Sequence, residues 1–180
     1  MNITTRPLLT DELIQLVLGT ATPWKEIFFL AAYTGLRVSD QLELPWQIDP
    51  PTWPIIEHKT GKKKYLAFTD MALGYWRALY NFGDPRRFLY PARDVSTYRK
   101  ALKARCIALG IPEQRIAFHS FRKTHALITY RENGLLAAKS TMNHSSLAVT
   151  EKYIEAALRF DTGRAFDHVF ADGSTPDVKR

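Results

Sequence analysis

The sequence predicts a mainly α fold with a small antiparallel β-sheet, of the α+β class. Segments opened by a cap or a proline and closed by glycine recur along most of the 180 residues, as a succession of helices requires. Only two runs, Pro54–His58 and Lys64–Phe68, have the short apolar character of strands, and a glycine-bearing turn joins them. Apolar residues make up 46% of the chain, with four Trp, eight Tyr and ten Phe, enough for a folded core.

Taken in order, residues 1–9 read as a lead-in, since Arg6-Pro7 opposes helix. Thr10 is placed to cap a helix from Asp11 to Leu18, with acids in its first turn and Gly19 as its stop. Thr22-Pro23 opens a stronger helix, apolar on nearly every side from Ile27 to Ala32, which makes it the central buried element. Gly35 ends it in the left-handed conformation that closes many helices. Arg37 then precedes a short turn of helix, capped by Ser39 and running to Leu44. From position alone Arg37 reads more readily as a partner of Asp40 than as a reactive group.

Pro45 to Pro54 is an irregular connection rich in proline and tryptophan. Between the two strands, Lys59-Thr60-Gly61-Lys62-Lys63 uses glycine for positive φ. Lys59, Lys62, Lys63 and Lys64 suit a phosphate backbone or, more plainly, a solvated turn. Asp70 caps a helix to about Phe82, stopped by Gly83. A basic loop, Asp84-Pro85-Arg86-Arg87, and an extended Phe88–Pro91 follow. In the helix from Ser96 to Leu109 an apolar face at Leu102, Cys106 and Leu109 leaves Arg99, Lys100 and Lys103 for the other side, as candidate DNA-backbone contacts. The helix bearing His119 runs to Asn133 and stops at Gly134. Leu135–Met142 is a short helix, and Ser146 caps another through Tyr153 that continues over Ile154–Arg159. Residues 160–180 form a tail with spaced apolar residues, among them Phe166, Val169 and Phe170.

Composition narrows the partners. The formal charge of +7 favours an anionic partner, nucleic acid being the commonest, with a basic protein lacking any polyanion partner as the plain alternative. The single Cys106 excludes an internal disulfide framework and a Cys-rich zinc site, and reads as a buried thiol in a reducing compartment. No apolar run approaches membrane-spanning length and no signal-peptide pattern opens the chain, so a soluble cytoplasmic protein without membrane contact is expected.

The chemistry gathers between His119 and Tyr153. His119 and Arg122 stand three apart and share a helix face, placing a proton shuttle beside a bidentate cation of the kind that holds phosphate. His144 adds a donor and Tyr153 a hydroxyl nucleophile. A zinc site is disfavoured, because His119 and His125 lie on different helix faces.

Thr34-Gly35-Leu36-Arg37 with Asp40, then the lysine hairpin, His119-x-x-Arg122, and His144 nine residues before Tyr153, occur in one order. In that order they resemble the catalytic domain of the tyrosine recombinases of the phage-integrase family, over roughly Leu9 to Ala157. The resemblance implies that Arg37 and Arg122 grip the non-bridging oxygens of a scissile phosphate and that His144 adds a hydrogen bond. It implies that Tyr153 attacks phosphorus to give a 3′-phosphotyrosyl link, that Lys59 protonates the leaving 5′-oxygen, and that His119 helps move the tyrosine proton. Asp40 supports the arginine site. No metal or nucleotide cofactor is implied.

Two departures stand out. Asn143 occupies a position where the family usually has glycine, which calls for Asn in the left-handed region. Lys123 follows Arg122 where a histidine is frequent, and no role is carried to Lys123 or His125. Lys62, Lys63 and Lys64 compete with Lys59 for the acid role.

The resemblance further implies a double-stranded DNA partner, other protomers in a tetrameric synapse, and an N-terminal core-binding domain that nothing before Leu9 supplies. An excised catalytic domain, 10–159, from a prokaryotic or phage protein is the expectation, its tail exchanged between protomers or folded back. Site-specific recombination, type IB topoisomerase-like relaxation and catalytically silent DNA binding are the three readings carried forward.

Overall fold

The computed structural model describes residues 5–44, 52–82, 89–90, 92, 94–155 and 158. Its elements are α1 (Thr10–Leu18), α2 (Trp24–Thr34), α3 (Val38–Leu42), β1 (Thr52–Ile56), β2 (Lys63–Ala67), α4 (Asp70–Tyr80), α5 (Val95–Ala108) and α6 (Phe118–Met142). A last helix, α7, covers residues 147–155. The expected fold class is therefore what forms: among the described residues, helices and one two-stranded antiparallel sheet. The expected Gly83 stop, the loop at Asp84–Arg87, Phe88, Pro91 and the tail with Phe166, Val169 and Phe170 lie outside the described residues, as do residues 45–51.

α2 is the hub. Ile27, Phe28, Leu30 and Ala31 are fully buried, and the helix packs against α1, α4 and α6. Its aromatic residues face two partners. Phe28 stacks on Phe121 of α6 at 5.6 Å between centroids, and Phe29 stacks on Tyr75 of α4. Such pairs add directional attraction to the area they bury, so they fix rotation as well as distance. Fixing α6 against α2 in this way brings Arg122 to the C-terminus of α2.

Several boundaries differ from the sequence reading. Leu9, not Thr10, holds the extended cap position of α1, and its N–H donates to the Glu12 carboxylate at 2.9 Å. Thr69, not Asp70, caps α4, accepting from the Ala72 N–H at 3.3 Å. Arg37 itself is the cap residue of α3, with Ser39 inside the helix. β1 starts at Thr52, two residues earlier than Pro54, because its register extends to a Thr52–Ala67 pair. In each case a neighbouring residue in extended geometry, or an available strand partner, displaced the one with the stronger propensity.

The lead-in is tied down. Arg6 pairs with the buried Glu12 carboxylate, and Leu8, itself buried, donates its N–H to the Thr124 hydroxyl of α6 at 2.8 Å. Gly134 interrupts α6 with φ 81° and ψ 179°, at the stop the sequence marks. Asn143 takes the left-handed conformation, φ 55° and ψ 36°. Cys106 is buried, and burial pushes its thiol up to about 11.

Gly35 adopts φ 59°, and a Cβ there would come within 2.5 Å of the His125 ring. Gly35→Ala is expected to cost about 2–4 kcal/mol, from the left-handed penalty and the ring displacement together; urea denaturation with an unchanged midpoint would contradict this. His125 anchors the same corner, its Nδ1 at 3.0 Å from the Ala32 carbonyl. Burial first, then the Lys64 charge, lower its pKa from 6.5 to about 4. The unfolded chain therefore takes up this proton near pH 6.5 and the folded chain only near pH 4. Stability is expected to fall as pH drops through that window. Denaturation midpoints measured between pH 7.5 and 4.5 check the slope, and a flat profile would count against it.

Candidate active site

Each candidate side chain stands at the end or the first turns of an element. Arg37 follows the left-handed Gly35 and caps α3. His119 and Arg122 occupy the first turns of α6. His144 lies just past Asn143, which turns the chain between α6 and α7. Tyr153 is on α7, and Lys59 is in the hairpin turn after β1. Element ends are where side chains can leave the packed core and converge.

The centre of the arrangement is a carboxylate. Glu57, fully buried, accepts a hydrogen bond from Arg37 Nη1 on Oε2 at 2.9 Å, while its Oε1 stands 3.8 Å from Arg122 Nη1. One anion thus touches both guanidiniums. Arg122 is itself buried, and donates to the Gly35 carbonyl through Nη1 and to the Met142 carbonyl through Nη2, each at 2.7 Å. These bonds lock its plane between the end of α2 and the end of α6. Arg37 is part-exposed, and Asp40 lies 3.8 Å from it. Asp40 also accepts the His58 N–H at 2.9 Å, holding the hairpin beside α3.

The nucleophile candidate lies beside two imidazoles. The Tyr153 hydroxyl is 3.0 Å from His119 Nε2, and its ring sits edge-on to His144 at 5.5 Å. His144 Nδ1 is 3.1 Å from the Thr150 hydroxyl on α7, which fixes the ring's orientation. Burial raises the Tyr153 phenol above its ordinary value of 10, and Arg122 and Arg37 oppose that rise. For His119, part of which remains exposed, loss of water around the ring comes first, followed by the charges of Lys123, Arg122, Arg37 and Lys59. Its pKa falls to about 4. His119 is therefore neutral at pH 7 and able to accept a proton. His144 is lowered too, by burial and then by Arg122 and Arg37.

The lysines divide. Lys59, Lys62 and Lys63 are exposed on the hairpin. Lys64 turns inward instead: it is buried, donates to the Thr34 carbonyl at 2.7 Å, and is lowered to about 8, first by burial and then by Arg122. Alternation along β2 puts Lys64 on the inner face, which departs from its expected place among the backbone contacts. Arg99, Lys100 and Lys103 are exposed on α5, as expected, with Lys103 3.6 Å from Glu113.

Two groups near the site carry no role in the sequence reading. Lys123 is buried on α6, donates to the Thr5 carbonyl, and lies 5.8 Å from the Tyr153 ring centroid. Glu57 had a readable signal: it follows Ile55 by two residues and so continues the inward face of β1, where a carboxylate must find cations.

Known proteins share the fold of this chain. The chain is 27% identical to the probable integrase/recombinase of Acholeplasma phage L2, across 73% of this chain and 48% of that protein. The fold resembles XerA recombinase with a TM-score of 0.67 at 21% identity, covering 88% of this chain and 64% of that one. It also resembles lambda integrase, solved as a tetramer bound to a Holliday junction, with a TM-score of 0.67 at 20% identity, covering 83% and 48%. A Tn1549 transposon integrase in complex with transposon right end DNA gives a TM-score of 0.67 at 15% identity, covering 93% and 66%. The chain thus spans about half the length of the curated relative and less than two thirds of the first solved ones. Residues 9–159 match the phage integrase family, and the chain belongs to that family, the tyrosine recombinases.

Proposed function

We propose that this chain is the catalytic domain of a site-specific DNA recombinase or integrase, cleaving and rejoining strands through a 3′-phosphotyrosyl intermediate. The observation that carries the reading is the carboxylate shared by Arg37 and Arg122, beside a tyrosine already hydrogen-bonded to a neutral histidine. Two cations that converge on one oxyanion form the electrostatic half of a phosphoryl-transfer site.

The reaction follows from these groups. A scissile phosphate meets the guanidinium N–H donors that Glu57 and the two carbonyls leave, with His144 donating to a non-bridging oxygen. Tyr153 Oη attacks phosphorus and its proton passes to His119 Nε2. The P–O5′ bond breaks, and the departing oxygen takes a proton from Lys59. The phosphodiester energy is kept in the tyrosyl ester, so attack by a 5′-hydroxyl reverses the sequence without a cofactor. The low basicity of His119 in the unliganded site also has a physical use. The incoming phosphate offsets the cations that depress it, so the part of that depression due to charge is relieved when DNA binds.

The basic hairpin and the exposed Arg99, Lys100 and Lys103 are proposed to track the DNA backbone. A core-binding domain and further protomers complete the active assembly, a tetramer of the kind solved for lambda integrase. The phage-borne relative supports a phage or prokaryotic element as its source, acting in the cytoplasm. Among the described residues no helix is long and apolar enough to cross a membrane.

A nicked suicide substrate tests the reading. Wild-type protein is expected to become covalently attached, and Tyr153→Phe to lose attachment while keeping its DNA affinity; equal attachment by the variant would refute the nucleophile, and attachment by neither would leave a DNA-binding module. Arg37→Ala is expected to slow attachment by about 100- to 1000-fold, or about 3–4 kcal/mol of barrier, with folding intact. A loss under threefold would remove Arg37 from the chemistry.

A further inference from the structure

Glu57 does more than neutralise the arginines. Its Oε2 accepts from the Thr60 hydroxyl at 2.9 Å as well as from Arg37 Nη1. Its backbone closes the same turn: the carbonyl accepts from the Gly61 N–H at 2.8 Å, and its N–H donates to the Lys62 carbonyl at 2.9 Å. Lys59 lies inside that loop of bonds. The turn is otherwise exposed, with Lys59, Thr60, Gly61 and Lys62 all on the surface, and a Cβ on Gly61 would touch nothing. Packing therefore does little to place the lysine. A short exposed turn with few apolar contacts opens easily unless polar bonds hold it.

The second anchor is Asp40, whose carboxylate takes the His58 N–H and lies beside the same Arg37. Two buried acids on different elements thus connect one arginine to the residues either side of the lysine turn. If the acids served only to balance charge, one contact to each guanidinium would be enough. The additional bond to Thr60 serves the turn.

We propose that Glu57 is a positioning residue for strand cleavage, tying the lysine turn to the arginine pair through Arg37 and Thr60 so that Lys59 meets the leaving oxygen. This rests on the cleavage reading above. It separates two effects of the same carboxylate: orientation of Arg37 acts on the phosphate, and the bond to Thr60 acts on the proton donor.

Leaving-group chemistry resolves the two. A DNA strand with a 5′-bridging sulfur at the scissile phosphate leaves as a thiolate, which needs no proton from a lysine because a thiol is far more acidic than an alcohol. The readout is the ratio of attachment rates on the sulfur and oxygen substrates, for wild type, Lys59→Ala, Glu57→Gln and Thr60→Val. Lys59→Ala is expected to raise the ratio most. Thr60→Val, a change on an exposed turn that leaves the core untouched, is expected to raise it about 3- to 10-fold, the effect of one lost hydrogen bond. Glu57→Gln is expected to raise the ratio similarly while also slowing the sulfur substrate. A ratio unchanged in both Thr60→Val and Glu57→Gln, with Lys59→Ala raising it, would overturn the role of Glu57 alone. Absence of attachment by wild type on either substrate would overturn the cleavage reading and this proposal with it.

Discussion

Two guanidiniums on one carboxylate, Arg122 buried and Arg37 part-exposed, repel each other, and a protein interior screens that repulsion poorly. The structure answers with one carboxylate between them. Glu57 lets Arg37 and Arg122 occupy the same small volume before any substrate arrives. The surrounding design follows from that need. Arg122 is clamped by carbonyls at the ends of α2 and α6, Arg37 is set by the cap of α3, and the hairpin supplies the acid that joins them. Breaking such a triad by removing the anion leaves charges that the interior cannot solvate, which is costlier than the pair was stabilising.

The cation pair also sets the protonation of its neighbours. Arg122 and Arg37 pull the Tyr153 phenol down against burial, and they add to the loss of water and the Lys123 charge that keep His119 neutral. The site thus holds a protonated phenol facing an unprotonated imidazole, the starting state the proposed proton transfer needs.

How much of this was legible in the sequence depended on range. Gly35 and Asn143 were readable because the left-handed region is a local matter of Cβ sterics. Both take that conformation. The buried character of α2 was readable from its unbroken apolar run. The caps at Thr10, Ser39 and Asp70 were misplaced by one or two residues, because the residue that takes the extended backbone geometry becomes the cap whatever its side-chain preference. Glu57 drew no role because its partners are remote: Arg37 is 20 positions away, on another element. Lys64 was grouped with its exposed neighbours when strand alternation alone would have separated it from Lys63 and Tyr65. The expected Arg37–Asp40 pairing forms, and the same guanidinium also meets Glu57, a partner that local spacing does not reveal.

The proposed chemistry needs both arginines to serve a single oxyanion beside Tyr153. Determining the structure of the protein with orthovanadate, an oxyanion that adopts the five-coordinate geometry of a phosphoryl group in transit, tests it most directly. One vanadate is expected within hydrogen-bonding distance of both Arg37 and Arg122, with the Tyr153 oxygen at an apical position. Vanadate held by only one of the arginines, with Tyr153 remote from it, would refute the shared-oxyanion reading.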